Sequence, residues 1–131
     1  MKVCVRGAKK FDYPTELLHA VFEFLQSEVP LSKDIVISFT ETRVGNMTTG
    51  LRSPNEIRVI AKNRMLIDVI RTLMHEWVHE FQHQKLGLKD NENIPDIGGP
   101  AENMANVLAG IFMKKFQKRY PIFEKDLYNE F

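Results

Sequence analysis

The chain has 131 residues, 44% of them hydrophobic and 27% charged, with a formal net charge of +1. That length suits one domain with a real core, read here as a single compact unit over 1–131. The balanced charge argues against a nucleic-acid or membrane partner, no run approaches the roughly 18 apolar residues that span a bilayer, and the lone Cys4 excludes an internal disulfide. Lys2 to Arg6 then predicts a short strand ending at Gly7, with Cys4 as a buried, inert thiol. Thr15 to Glu28 predicts a helix: Leu17, Leu18, Val21, Phe22 and Leu25 share an apolar face, and Pro30 closes it. His19 on this helix reads as a surface or partly buried histidine, not a ligand. Asp34 to Thr40 is β-rich, Thr42 to Leu51 is a loop or hairpin with Gly45, Asn46 and Gly50 as turn residues, and Asn55 to Ala61 is a further strand. The expected sheet is small and mostly antiparallel. Its last strand is a candidate exposed edge that would hold an extended peptide by main-chain hydrogen bonds.

The next segment carries the chemistry. Leu66, Ile67, Val69, Ile70, Leu73, Met74, Trp77, Val78 and Phe81 recur at helical spacing. With His75 set at 0°, most of them fall in an arc from about 120° to 260°. His75, His79, Thr72 and Asp68 fall between roughly 0° and 60°. One face is core and the other is free for chemistry, and Gly87 is a plausible stop. Inside this helix stands His75-Glu76-Trp77-Val78-His79, an H-E-x-x-H pattern. Residues four apart lie on one face, so His75 and His79 can reach one metal ion. Glu76 lies about 100° away, beside that ion and not on it, where it can act as a general base.

A catalytic zinc usually takes three protein ligands. Lys89 to Gly99 reads as a polar loop, and Ala101 to Arg119 as a second long helix with Pro100 in its first turn. Its apolar set is Met104, Val107, Leu108, Ile111, Phe112 and Phe116, while Ala101, Ala105, Ala109 and Gly110 leave room for a neighbouring helix. Four residues compete for the third ligand position. His83 lies two turns from His75, about 12 Å along the axis, too far for an ion held by His75 and His79 unless the helix breaks. Asp90 and Asp96 are loop aspartates that could ligate. Glu102 fits best: it opens the second helix, where the dipole favours a carboxylate, and a glutamate on an apolar helix needs a partner. Tyr120-Pro121 ends that helix. The segment 122–131 reads as a short helix or docked tail, with Phe123, Leu127, Tyr128 and Phe131 available to pack.

The His75-Glu76-Trp77-Val78-His79 motif, followed by Pro-Ala-Glu-Asn-Met-Ala-Asn-Val-Leu-Ala at 100–109, resembles the gluzincin pattern. It is most similar to the minigluzincins and the ImmA/IrrE-like metallopeptidases, whose glutamate helix often reads E-x-x-A-N, here Glu102, Ala105 and Asn106. The resemblance covers roughly 66–116, and the preceding sheet in outline. It implies one Zn²⁺ held by His75, His79 and Glu102, with Glu76 as general base and Asn106 in support. It also implies a zincin-like fold. Any oxyanion-stabilising residue is left open among Tyr120, Tyr128 and His83.

The expectation is therefore an α+β protein: a small sheet and first helix at 1–64, metal-bearing helices at 65–119, and a C-terminal tail at 120–131. Its activity would be zinc-dependent hydrolysis of peptide bonds through a metal-activated water, with Glu76 as general base. The alternative is a zinc-stabilised binding or regulatory module with little proteolysis. A peptide or protein substrate follows from either activity. No apolar signal sequence opens the chain, so the expected setting is cytoplasmic and the expected state a monomer. The tail, with Tyr128 and Phe131, is a candidate cover for the cleft.

Overall fold

A computed structural model describes residues 1–42, 49–85 and 99–131. Strand β1 (Val3–Arg6) leads into helix α1 (Thr15–Glu28), followed by β2 (Ile35–Thr40), β3 (Gly50–Ser53) and β4 (Glu56–Ile60). Two long helices follow, α2 (Leu66–Lys85) and α3 (Pro100–Arg119). The chain closes with a 3₁₀ turn at Pro121–Phe123 and a short helix α4 (Glu124–Leu127). The fold is α+β. Among the described residues no helix is long and apolar enough to cross a membrane.

The sheet corrects one expectation. Its order is β1-β2-β4-β3, with β1–β2 and β2–β4 parallel and only β3–β4 antiparallel. It is mixed and mostly parallel, not mostly antiparallel. The physical reason is α1: a helix between β1 and β2 returns the chain to the same end of the sheet, which parallel pairing requires. The antiparallel pair comes from the tight turn at Pro54 and Asn55, where Asn55 takes φ 59°, a backbone asparagine tolerates. Gly50 thus begins a strand, and most of the loop expected before it lies outside the described residues. The predicted edge moves as well. Among the described strands β4 is interior, and the edge strand beside the helices is β3.

β2 alternates buried and half-buried positions, sending Ile35, Ile37 and Phe39 into the core. Ile57 and Val59 do the same from β4. β1 is an edge strand with most of its residues exposed. Cys4 is therefore exposed, not buried. An apolar run signals a strand but not whether anything covers both of its faces. His19 is exposed on α1, as its position on the outer face implied.

The apolar arc of α2 is buried as its periodicity predicts: Leu66, Val69, Ile70, Leu73, Met74, Trp77 and Val78 are all inaccessible to solvent. The Trp77 indole donates to the Val29 carbonyl at the end of α1 (2.8 Å). Helix α3 packs beside α2 through Ala105 and Ala109, while Phe112 and Phe116 meet Phe24 of α1 edge-on. The buried stripe of α3 differs from its apolar set. Val107 and Ile111 face outward, and the small residues take the interface because they let two helix backbones approach.

The tail returns to the start of α2. The Asn129 carbonyl accepts the Leu66 N–H (2.9 Å), one of the first-turn donors a helix cannot satisfy internally. Leu127 is buried, and the Phe131 ring meets Tyr13 edge-on.

Candidate metal centre

Helices α2 and α3 run antiparallel past each other. At one end Gln82 Nε2 donates to the Ala101 carbonyl (2.9 Å). Further along α3, Gly110 faces Arg71 of α2. Between these contacts, Glu102 reaches the histidines of α2. Its Oε1 lies 3.0 Å from His75 Nε2 and its Oε2 lies 2.9 Å from His79 Nε2. The two imidazole Nε2 atoms are 3.1 Å apart. One atom from each of the three residues falls within a 4.8 Å cluster, the arrangement that could hold a metal ion. His79 and Glu102 are buried and His75 is partly exposed, so the cluster opens to one side.

The protonation of this cluster follows from Gln82. Its Nε2 faces the Ala101 carbonyl, which only accepts, so the amide orientation is set. Its Oε1 then faces His79 Nδ1 at 2.8 Å and must accept a proton from it. A neutral His79 consequently carries its lone pair on Nε2, aimed at the Glu102 carboxylate and at His75. Electron-rich atoms 2.9–3.1 Å apart repel unless protons or a cation lie among them. Two neutral imidazoles and a carboxylate are also the donor set that zinc prefers, so the residues fit the ion.

Glu76 is not part of that cluster. Its Oε1 is 4.0 Å from His75 Nε2, a full ångström beyond the Glu102 oxygen. The buried carboxylate stands at the rim of the same cleft, a space of about 220 Å³. Thr72, His75 and Glu76 of α2 form its floor; Thr49 and Gly50, where β3 begins, form one wall, and Glu102, Asn106 and Ala109 of α3 form the other. Gly50 makes this wall possible. A Cβ there would lie 2.6 Å from Thr72 Cγ2 and 3.0 Å from Glu76 Cγ.

Two residues further along β3, Arg52 donates to the fully buried Glu80 (2.7 Å), which also accepts from Gln84 (2.7 Å). Gln84 in turn accepts from the main-chain N–H of Ser32 (2.9 Å). Two residues of a strand advance slightly farther than the four helical residues from Glu76 to Glu80, so Gly50 opposite Glu76 and Arg52 opposite Glu80 fit one register.

Of the candidate ligands, His75, His79 and Glu102 converge. His83 is partly buried one turn beyond His79 and outside the cluster. Asp90 and Asp96 lie outside the described residues. Asn106 lines the cleft as a neighbour of Glu102. Tyr120 and Tyr128 are absent from the cleft walls, and the tail from 121 to 131 packs away from them.

Sequence reasoning missed Gln82, Gly50 and the Arg52–Glu80 pair. Two of these had a signal. Glu80 falls at about 140° on the helical wheel, inside the apolar arc, and a carboxylate there demands a buried partner. Gln82 falls at about −20°, on the ligand face, within reach of His79. Gly50 had none, because its need is a contact with a distant helix. Comparisons of the chain with protein-family models, with curated proteins and with solved structures each found no match.

Proposed function

We propose that this protein is a zinc-dependent metallopeptidase of gluzincin type, with His75, His79 and Glu102 as the metal ligands and Glu76 as the general base. The observation that carries this reading is the convergence of three potential ligand atoms from two helices, with a second buried carboxylate, Glu76, beside them and outside the cluster. When bound, zinc supplies Lewis acidity to oxygen ligands in the cleft.

The chain's own residues do the rest. Gln82 holds His79 in the tautomer whose Nε2 is free to ligate. Glu102 adds a negative charge that balances part of the ion's. Glu76 takes a proton from the attacking water and delivers it to the departing amine nitrogen. Gly50 leaves room for that carboxylate, and the edge strand β3 lies beside it, suited to an extended peptide.

The test combines metal analysis with cleavage of a mixed peptide library. Wild type should carry about one zinc per chain and cleave. Glu76→Gln should keep the zinc and lose about 10²–10⁴-fold in turnover. Glu102→Ala and His79→Ala should lose the zinc. A wild type that binds no zinc on reconstitution refutes the metal site. One that binds zinc yet cleaves nothing in the library would favour the alternative, a zinc-stabilised binding module.

A further inference from the structure

The cleft contains a cation that neither the metal site nor the general base uses. Arg71 lies one helical turn before His75, so it shares the ligand face, about 6 Å along the axis. It lines the same cleft and is exposed to it. Its guanidinium reaches across to α3, where a Cβ on Gly110 would lie 3.4 Å from Nη2. The other arginines near the cleft are engaged. Arg52 is paired with Glu80, and Arg64 donates to the Ile60 and Asp68 carbonyls and to Thr72 Oγ1. Arg71 has no hydrogen bond or ion pair among the described residues. Asn106, on the opposite wall, adds a neutral amide close by.

We propose that Arg71 is the binding residue for a carboxylate on the peptide, and that this carboxylate sets which peptides the cleft accepts. The guanidinium offers a planar pair of N–H donors matched to a carboxylate. An axial offset of about 6 Å corresponds to one or two residues of extended chain from the bond being cut. The small side of α3, Ala109 and Gly110, leaves the guanidinium accessible from the cleft. The carboxylate has two possible sources, the C-terminus of a short peptide or an internal Asp or Glu side chain. The inference rests on the metallopeptidase reading for the placement of the peptide but not for the carboxylate contact itself.

The experiment measures binding of fluorescent alanine-rich hexapeptides to Glu76→Gln protein by anisotropy, with zinc content determined on the same samples. One peptide pair differs by a free or amidated C-terminus, the other by an internal Glu or Gln. At least one acidic peptide should bind roughly 10- to 100-fold tighter than its neutral partner. Adding Arg71→Ala should erase that preference, Arg71→Lys should retain part of it, and added salt should weaken it. A preference in the first pair alone assigns the C-terminal carboxylate; in the second alone, an acidic side chain.

Zinc-loaded protein whose preference is absent, or is unchanged by Arg71→Ala, overturns the inference and leaves the proposed function standing. An Arg71-dependent preference in protein that binds no zinc supports the carboxylate site and refutes the metallopeptidase reading. Loss of both refutes both.

Discussion

Replacing Gly50 by alanine tests how tightly β3 is fitted to the cleft face of α2. The added methyl would lie 2.6 Å from Thr72 Cγ2 and 3.0 Å from Glu76 Cγ. Carbon atoms rest at about 3.5–4.0 Å, so the overlap with Thr72 is about 1 Å. Thr72 cannot simply rotate away, because its hydroxyl accepts from Arg64 (2.9 Å) and β-branched side chains on helices have few rotamers. Gly50 is not among the glycines with positive φ, so alanine suits its backbone and would contribute about 0.4–1 kcal/mol through the unfolded chain. Overpacking costs about 1–3 kcal/mol. The overlap wins, and the net loss is about 1–2 kcal/mol of stability, read from urea denaturation at constant m-value. Zinc content should be unchanged, because no ligand is touched. Peptide cleavage should fall by at least about tenfold, since the strand must retreat or the Glu76 side chain must turn. The double variant Gly50→Ala with Thr72→Ser removes the nearest clash and leaves the one at Glu76. It should recover stability more than cleavage. A Gly50→Ala protein with wild-type denaturation midpoint and wild-type cleavage would refute the fit between β3 and α2.

Three further outcomes follow from the same packing. Gln82→Leu should weaken zinc binding roughly 10- to 100-fold, measured by competition with a chelating dye, because His79 loses the acceptor that fixes its tautomer; unchanged affinity would remove Gln82 from the site. Glu80→Ala should cost about 3–5 kcal/mol by removing the carboxylate partner of the buried Arg52 side chain, whereas the paired change Arg52→Met with Glu80→Leu should cost much less. Burial pushes the Tyr13 hydroxyl from 10.0 up to about 12. Above pH 10 the unfolded chain releases this proton before the folded one does, so the Tyr13 contribution is intact below pH 10 and is lost between pH 10 and about 12. Tyr13→Phe should flatten the stability profile over that window.

The helices were legible because their signals are local. Thr15–Glu28 and the α2 core arc follow from apolar spacing, and the three residues that converge, His75, His79 and Glu102, follow from motif spacing and one carboxylate on the opening turn of α3. The sheet was less legible because strand order is decided by long-range pairing. Nothing within Ile35–Thr40 or Glu56–Ile60 states that the two strands lie side by side in parallel. The four residues of β3 are too short to show a period, and Gly50 reads as a turn when judged only by its neighbours. The same limit explains Cys4, whose apolar surroundings do not reveal that β1 is an uncovered edge.

Helix α2 carries three jobs on three faces, and this arrangement decides which substitutions reach the chemistry. The arc from about 120° to 260° is core, the sector from about −40° to 40° bears Arg71, Gln82, His75 and His79, and Glu76 and Glu80 occupy the seam between about 100° and 140°. That seam is where β3 docks. Glu76, the proposed general base, therefore stands on the boundary between core and cleft, in the same row as a buried ion pair one turn away. Strand packing contributes to its position, because Gly50 lies against its Cγ. On the proposed reading the two parts of the motif have separate neighbours: Gln82 and Glu102 meet the candidate ligand histidines, while Gly50 packs beside Glu76. A change at the seam should impair turnover with zinc in place, and a change at Gln82 should release zinc with the base still in register. That separation gives the site a physical reason to keep a glycine and a buried arginine on a four-residue strand that contributes little else to the core.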